Sequence, residues 1–256
     1  ASKSLYGGSH NLLEYTLPRF GIDTTFVDLR KTSEVKKNIK KNTKLIFGET
    51  LGNPGLDVMN IPKISKLAHD HNIPLLVDST FTTPYLMKPF SLGADLIFHS
   101  ATKFLSGHGV VIGGLLVDSG QFDWTTSSKF KVLTEPYEGF HGMNFVNEFG
   151  PAAYINRARK EGARDFGACM SPHTAFLVLQ GMETLNLRME RHIKNTRDIV
   201  NFLNTHKSVK SVCYPELDDH PDHKLAKELL PDGCGAVFTF ELNGNIETGK
   251  KFIEQL

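Results

Sequence analysis

Lys103 follows a hydroxyl-bearing segment, His99-Ser100-Ala101-Thr102, which itself follows the apolar run Leu96-Ile97-Phe98 and precedes Gly107-His108-Gly109. A lysine placed this way belongs at the end of a buried strand, facing a pocket rather than solvent. Flanked by hydroxyls, such an amine is equipped to form a Schiff base with a phosphorylated aldehyde. Ser100 and Thr102, alternate residues at that strand end, can donate to one phosphate together with nearby backbone amides, or act only as turn residues. Asp78 ends a second apolar run, Ile73-Pro74-Leu75-Leu76-Val77. An ionised carboxylate is costly to bury there without a cationic partner. A protonated pyridine nitrogen would meet that need, and so would a helix cap or an ordinary salt bridge.

The elements that must position these residues alternate between strand and helix. Short β-rich or apolar runs are read at Thr24–Val27, Lys44–Gly48, Ile73–Val77, Leu96–Phe98 and Val110–Val117, the last interrupted by Gly113-Gly114. Asn60 caps a helix with Pro62 in its first turn and Ile61, Ile64, Leu67 and Ala68 on one face. An earlier helix is expected from about Asn11, and a long one from Ser171 to about Asn204, kinked at Gly181. Strands that are apolar throughout and separated by helices indicate an α/β domain whose largely parallel sheet is covered on both faces. Ligands of such sheets bind at the carboxyl ends of the strands. Glu49, Asp78 and Lys103 all take that position.

Residues 119–150, with Trp124 and Pro136, form an irregular stretch long enough to be functional or partly helical. Residues 1–206 read as a large domain that includes the long helix, and 207–256 as the start of a smaller one with strands at Val209–Tyr214 and Ala236–Leu242. Both ends look cut: residue 1 is not methionine, and Lys250–Leu256 reads as a helix broken off, so a piece of a larger chain is expected.

Composition narrows the chemistry. With 29 Lys and Arg against 28 Asp and Glu, the formal net charge of +1 favours neither nucleic acid nor an anionic membrane. The basic run Lys31, Lys36, Lys37, Lys40, Lys41 and Lys44 has no interleaved aromatics and reads as a solvated helix face. No apolar run has the ~20 residues of a membrane span. Three cysteines without C-x-x-C spacing argue against a disulfide framework and for a reducing cytoplasm. The histidine pairs lack an H-E-x-x-H form or a full ligand set, so no metal is expected. G-x-G-x-x-G, the P-loop pattern and the G-x-S-x-G elbow are all absent.

Taken together, Val77-Asp78-Ser79-Thr80 and His99-Ser100-Ala101-Thr102-Lys103 resemble the Cys/Met-metabolism family of pyridoxal-phosphate (PLP) enzymes, of the fold-type I, aspartate-aminotransferase-like architecture. The resemblance runs along essentially the whole chain, through Ser4-Leu5-Tyr6-Gly7-Gly8, Asn53-Pro54, Thr83-Pro84-Tyr85-Leu86, Ser106-Gly107-His108 and Glu183 to His192. It implies that Lys103 carries the cofactor as a Schiff base and moves protons. Asp78 would hold the pyridinium nitrogen, Ser100 and Thr102 the phosphate, and Asn53 the ring oxygen, with Thr80 a further contact. Tyr6 would stack on the ring and share proton traffic. A homodimer as active unit, within a homotetramer, is implied as well. The family's neighbour-reaching tyrosine/arginine pair and upstream phosphate loop would precede residue 1, and its carboxylate-binding arginine would follow Leu256.

Thr134-Glu135-Pro136-Tyr137-Glu138-Gly139-Phe140-His141-Gly142 and Phe149-Gly150-Pro151-Ala152-Ala153-Tyr154-Ile155 resemble the O-acetylhomoserine sulfhydrylase branch. This likeness implies γ-replacement: acetate leaves O-acetyl-L-homoserine, and sulfide or a thiol takes its place. Gly8 stands where methionine γ-lyases carry a reactive cysteine, which weighs against that branch. Methionine γ-lyase and cystathionine γ-synthase or γ-lyase remain the alternatives.

Overall fold

The computed structural model describes residues 1–256. The apolar runs become β1 (Ile46–Glu49), β2 (Leu75–Asp78) and β3 (Leu96–Ser100), which pair in parallel in that order; β4 (Gly114–Asp118) adds antiparallel to β3. Parallel neighbours end on the same edge of the sheet. The register sets Glu49 beside Asp78 and Asp78 beside Phe98, so the three carboxyl ends form one ledge.

The connections follow from local sequence. Between β1 and β2 runs a helix, Ile61–His69, whose first turn is satisfied by the Asn60 side chain accepting the Lys63 N–H at 3.0 Å. Its buried face is Ile61, Ile64, Ser65 and Ala68. Of these, Ile61, Ile64 and Ala68 share a single large core with Leu75, Val77 and Ile46 of the sheet, each fully buried aliphatic contributing about 1.5–3 kcal/mol. The basic run forms a short helix, Thr32–Asn38, that buries only Val35 and leaves Lys36 and Lys37 in solvent.

Several boundaries differ from the sequence-based expectation. Thr24–Val27 is not a strand: Val27 makes only an isolated bridge to Ser2. The strand expected over Val110–Val117 is confined to Gly114–Asp118, because Gly113 closes backwards onto Thr102 instead of extending. The first helix begins at Gly7, four residues earlier than expected, with Tyr6 as its N-cap. The long helix divides into Pro172–Met182 and Leu185–Thr205. Its break lies at Glu183-Thr184 and not at Gly181, which is helical and gives close approach to the Ser106 carbonyl, where a Cβ would overlap.

The irregular stretch after β4 is a set of short helices around a satellite core of Trp124, Phe130, Leu133 and Phe145. Trp124 stacks on Tyr154 with centroids 5.0 Å apart. Residues 207–256 supply a two-stranded antiparallel sheet, β5 (Val209–Cys213) and β6 (Thr239–Leu242). Val212, Tyr214, Ala226, Leu230 and Cys234 pack into the same core as the parallel sheet.

Candidate active site

The ledge formed by β1, β2 and β3 opens into a cleft of about 630 Å³, within the size range of small-molecule sites. Six of the seven residues singled out from the sequence line it: Lys103, Asp78, Ser100, Tyr6, Asn53 and Thr80. They come from separate segments, brought together by strand ends and the turns that follow.

Lys103 lies in the turn Ala101–Leu105 directly after β3, with backbone φ −95° and ψ −120°, well outside helical geometry. That distortion swings its side chain out of the turn, so the amine is accessible within the cleft. Three features fix the turn. The Lys103 carbonyl accepts the Gly107 N–H at 2.8 Å, and Ala101 and Leu105 are buried. Arg188 donates to the Phe104 carbonyl at 2.7 Å and to the Leu105 carbonyl at 3.4 Å. The same guanidinium donates to the Gly181 carbonyl at 2.6 Å and to the Thr184 hydroxyl at 3.1 Å. Gly107, at φ +68°, lets the chain pass this guanidinium where a Cβ would strike it.

Asp78 is only 8% exposed and has no lysine, arginine or histidine within ion-pair distance. Its Oδ1 accepts the Thr80 N–H at 2.8 Å. Burial raises its pKa, with the hydrogen bonds from Thr80 opposing the rise. Thr80 in turn accepts the Ser100 N–H on its hydroxyl at 2.8 Å, tying the ends of β2 and β3 together. Beneath them His99, buried and held neutral by desolvation, donates from Nδ1 to the Ser79 carbonyl at 3.1 Å.

Thr102 is the residue that the structure does not bring into the cleft. Its hydroxyl donates to the Gly113 carbonyl at 3.2 Å and accepts the Gly113 N–H at 3.0 Å. It therefore closes the turn between β3 and β4.

Sequence reasoning placed Glu49 on the ledge but gave it no role. Here it is 8% exposed, accepts the Tyr6 N–H at 2.7 Å on Oε1 and accepts the Asn53 N–H at 3.2 Å on Oε2. Its pKa is pushed up to about 7 by burial, with the neighbouring Asp78 carboxylate adding and the two amide bonds opposing. Arg188 and His192 also line the cleft and were missed as site residues, because a helical Arg-x-x-x-His spacing looks like any solvated helix face. The signal for Arg188 is its position one turn past the helix break.

Such a cleft offers an amine, a buried carboxylate in need of a cation, hydroxyl and amide donors at a strand end, and the aromatic ring of Tyr6. The comparisons with known proteins agree with this chemistry. The family of Cys/Met metabolism PLP-dependent enzymes matches residues 1–256. A homocysteine synthase of Schizosaccharomyces pombe is 44% identical over 98% of this chain and 59% of its own length. An O-acetyl-L-homoserine sulfhydrylase of Leptospira meyeri is 43% identical over 100% of this chain and 60% of its own. A crystal structure of an O-acetylhomoserine (thiol)-lyase of Campylobacter jejuni, carrying N'-pyridoxyl-lysine-5'-monophosphate, superposes with a TM-score of 0.91 at 36% identity, covering 94% of this chain and 60% of that one. The chain thus spans about three fifths of the relatives it matches. With its mainly parallel α/β sheet, it belongs to the Cys/Met metabolism family of PLP-dependent enzymes.

Proposed function

We propose that the protein of which this chain is part catalyses γ-replacement on O-acetyl-L-homoserine, joining sulfide or a thiol to the γ carbon and releasing acetate, with L-homocysteine or methionine as product. The observation that carries this reading is the pairing, in one cleft, of an accessible lysine with a buried carboxylate that has no cationic partner. Asp78 is a buried acceptor on the cleft wall with one oxygen free, which suits a protonated ring nitrogen. Similarity to a homocysteine synthase at 44% identity and to an O-acetyl-L-homoserine sulfhydrylase at 43% supports the choice of reaction within the family.

Pyridoxal phosphate, when bound, supplies an electron sink that makes the α proton of an amino acid removable. Lys103 would hold the cofactor covalently and, once released by the incoming amino group, would take the α proton and then move a proton at the β carbon, allowing acetate to leave from the γ carbon. Asp78 would keep the proton on the ring nitrogen. Ser100 would donate to the phosphate, joined by the Thr102 hydroxyl only if the latter lets go of Gly113. Asn53 would donate to the ring oxygen, and Thr80 would act through its bonds to Asp78 and Ser100. Tyr6 would cover one face of the ring and share in proton transfer at the departing group.

Gly8 bears on the choice of branch. A side chain there would begin 2.5 Å from the Tyr6 ring, so this arrangement of Tyr6 goes with a residue lacking a Cβ. We further propose that the protein works in the cytoplasm and self-associates, as a dimer within a tetramer. Exposed apolar side chains at Leu12, Tyr15, Phe20, Val110 and Ile112 support self-association. No helix is long and apolar enough to cross a membrane.

The test uses full-length protein in three reactions: O-acetylhomoserine with sulfide, methionine alone, and O-succinylhomoserine with cysteine. Homocysteine in the first and no product in the other two is the expected result. Release of α-ketobutyrate from methionine would overturn the reading in favour of a lyase.

A further inference from the structure

We propose that Glu49 is a positioning residue: by accepting one backbone N–H from Tyr6 and one from Asn53, its side chain sets the two residues that would cover and grip the cofactor ring. The inference rests on the cofactor-binding reading given above. Its ground is geometric. Tyr6 and Asn53 lie 47 positions apart in sequence, and neither is in the parallel sheet. Tyr6 sits just ahead of the helix Gly7–Asn11 as its N-cap, with no side-chain hydrogen bond closing the cap; Asn53 lies in the loop after β1. The Glu49 carboxyl reaches both main chains, one oxygen to each, at 2.7 Å and 3.2 Å. Both oxygens act as acceptors, and neither donates to a neighbour.

A buried carboxylate that satisfies two amides is often no more than a loop staple. Three features distinguish this one. The amides belong to the two cleft residues themselves rather than to their neighbours. Glu49 also lines the cleft, so its carboxyl borders the space that the ring would occupy. Finally, it is the register partner of Asp78, which makes the distance from Asp78 to both loops a property of one side chain anchored in the sheet. A ring held at Asp78 would therefore meet Tyr6 and Asn53 at positions that Glu49 determines.

The experiment compares full-length wild type with Glu49→Gln, Glu49→Asp, Asn53→Ala and the double variant Glu49→Gln/Asn53→Ala. Each apoprotein is titrated with pyridoxal phosphate at about pH 8.5, above the raised pKa of Glu49 and so with its carboxyl ionised, followed by visible absorbance and by the circular dichroism of the bound chromophore; unfolding of the apoproteins is measured separately. Glutamine keeps the shape but offers only one acceptor, and aspartate keeps the charge but is one methylene too short for both loops. Either should weaken cofactor binding about tenfold, the size of one lost charged hydrogen bond, and should alter the dichroism of what does bind. The effect of Asn53→Ala should shrink in the Glu49→Gln background, because Asn53 is then already misplaced.

Equal affinity and an unchanged dichroic band in both Glu49 variants, whatever their stability, would reduce Glu49 to a loop staple and overturn the inference. Full additivity in the double variant would do the same. Wild-type protein that fails to take up the cofactor would instead sink the cofactor reading itself, an outcome distinguished by the wild-type titration alone.

Discussion

Replacing Asp78 by asparagine should make the cofactor-free protein more stable and the cofactor-loaded protein weaker. Asp78 is 8% exposed, accepts from Thr80, and faces no cation; its register neighbour is another carboxyl, Glu49. An uncompensated buried carboxylate of this kind costs about 1–3 kcal/mol. The asparagine side chain would keep an acceptor oxygen toward the Thr80 N–H and discard the charge, so the cofactor-free Asp78→Asn protein should gain about 1–2 kcal/mol at pH 7. The sign with pH follows from the raised pKa. In the fold Asp78 holds its proton above the ordinary value of 3.8, where the unfolded chain has lost it. Wild-type stability therefore declines as pH rises from about 3.8 through the folded value, and the advantage of asparagine grows over the same interval. Cofactor binding should move the other way. Removing one partner of a buried charge pair costs about 2–5 kcal/mol, which is about thirtyfold or more in affinity. Urea unfolding of the full-length apoproteins at several pH values, together with cofactor titration, measures both arms. An asparagine variant that binds cofactor as tightly as wild type would refute the placement of a cation at Asp78. A variant destabilised at pH 7 without cofactor would refute the burial argument.

Lys103→Ala should abolish turnover, the visible band of the bound cofactor and borohydride trapping, while leaving unfolding of the apoprotein within about 0.5 kcal/mol, because the side chain is exposed. Normal turnover by this variant would end the proposed mechanism. Glu49→Gln should remove a pH dependence from the cofactor-free protein. Between the ordinary value of 4.5 and about 7, wild-type Glu49 is protonated in the fold and ionised when unfolded. Wild type should thus lose about 2 kcal/mol relative to the variant between about pH 5 and pH 7, read from urea midpoints. Gly181→Ala should cost about 2–3 kcal/mol in the same assay, since the new methyl meets the Ser106 carbonyl, a backbone atom that cannot step aside. Gly162→Ala, in a helical turn with open space around it, should instead gain about 0.5–1 kcal/mol.

How much of this was legible in the sequence depends on whether the information was local. Asp78 and Ser100 could be placed because an apolar run that stops at a polar residue marks both a strand and its buried end. The Asn60 cap was readable for the same reason: its acceptor and the amide it serves are three residues apart. Thr102 lies off the cleft because its hydroxyl has a partner 11 residues away, at Gly113, and no spacing rule predicts that closure. The same closure shortened the strand expected from Val110. Thr24–Val27 has strand-forming residues, but its pairing is limited to backbone bonds from Thr25 and Val27 to residues 1–3, a single bridge rather than a ladder. The amide bonds of Glu49 span 43 residues in one case, beyond any local pattern. Gly181 was read as a kink on propensity, whereas its lack of a side chain serves packing against the lysine turn.

The Arg188 clasp joins three pieces of chain: the end of Pro172–Met182, the start of Leu185–Thr205, and the turn carrying Lys103. It bridges the discontinuity in the long helical path. Farther along, Met189, Ile193 and Val200 of the second helix share a core with Val212 and Tyr214. The turn that carries Lys103 is seated on this helix twice over, by the guanidinium and by Phe104 packed edge-on against His192. One helix is therefore the common foundation of the lysine turn and of the C-terminal segment, so a change that reseats residues 207–256 acts on an element that the active-site backbone shares.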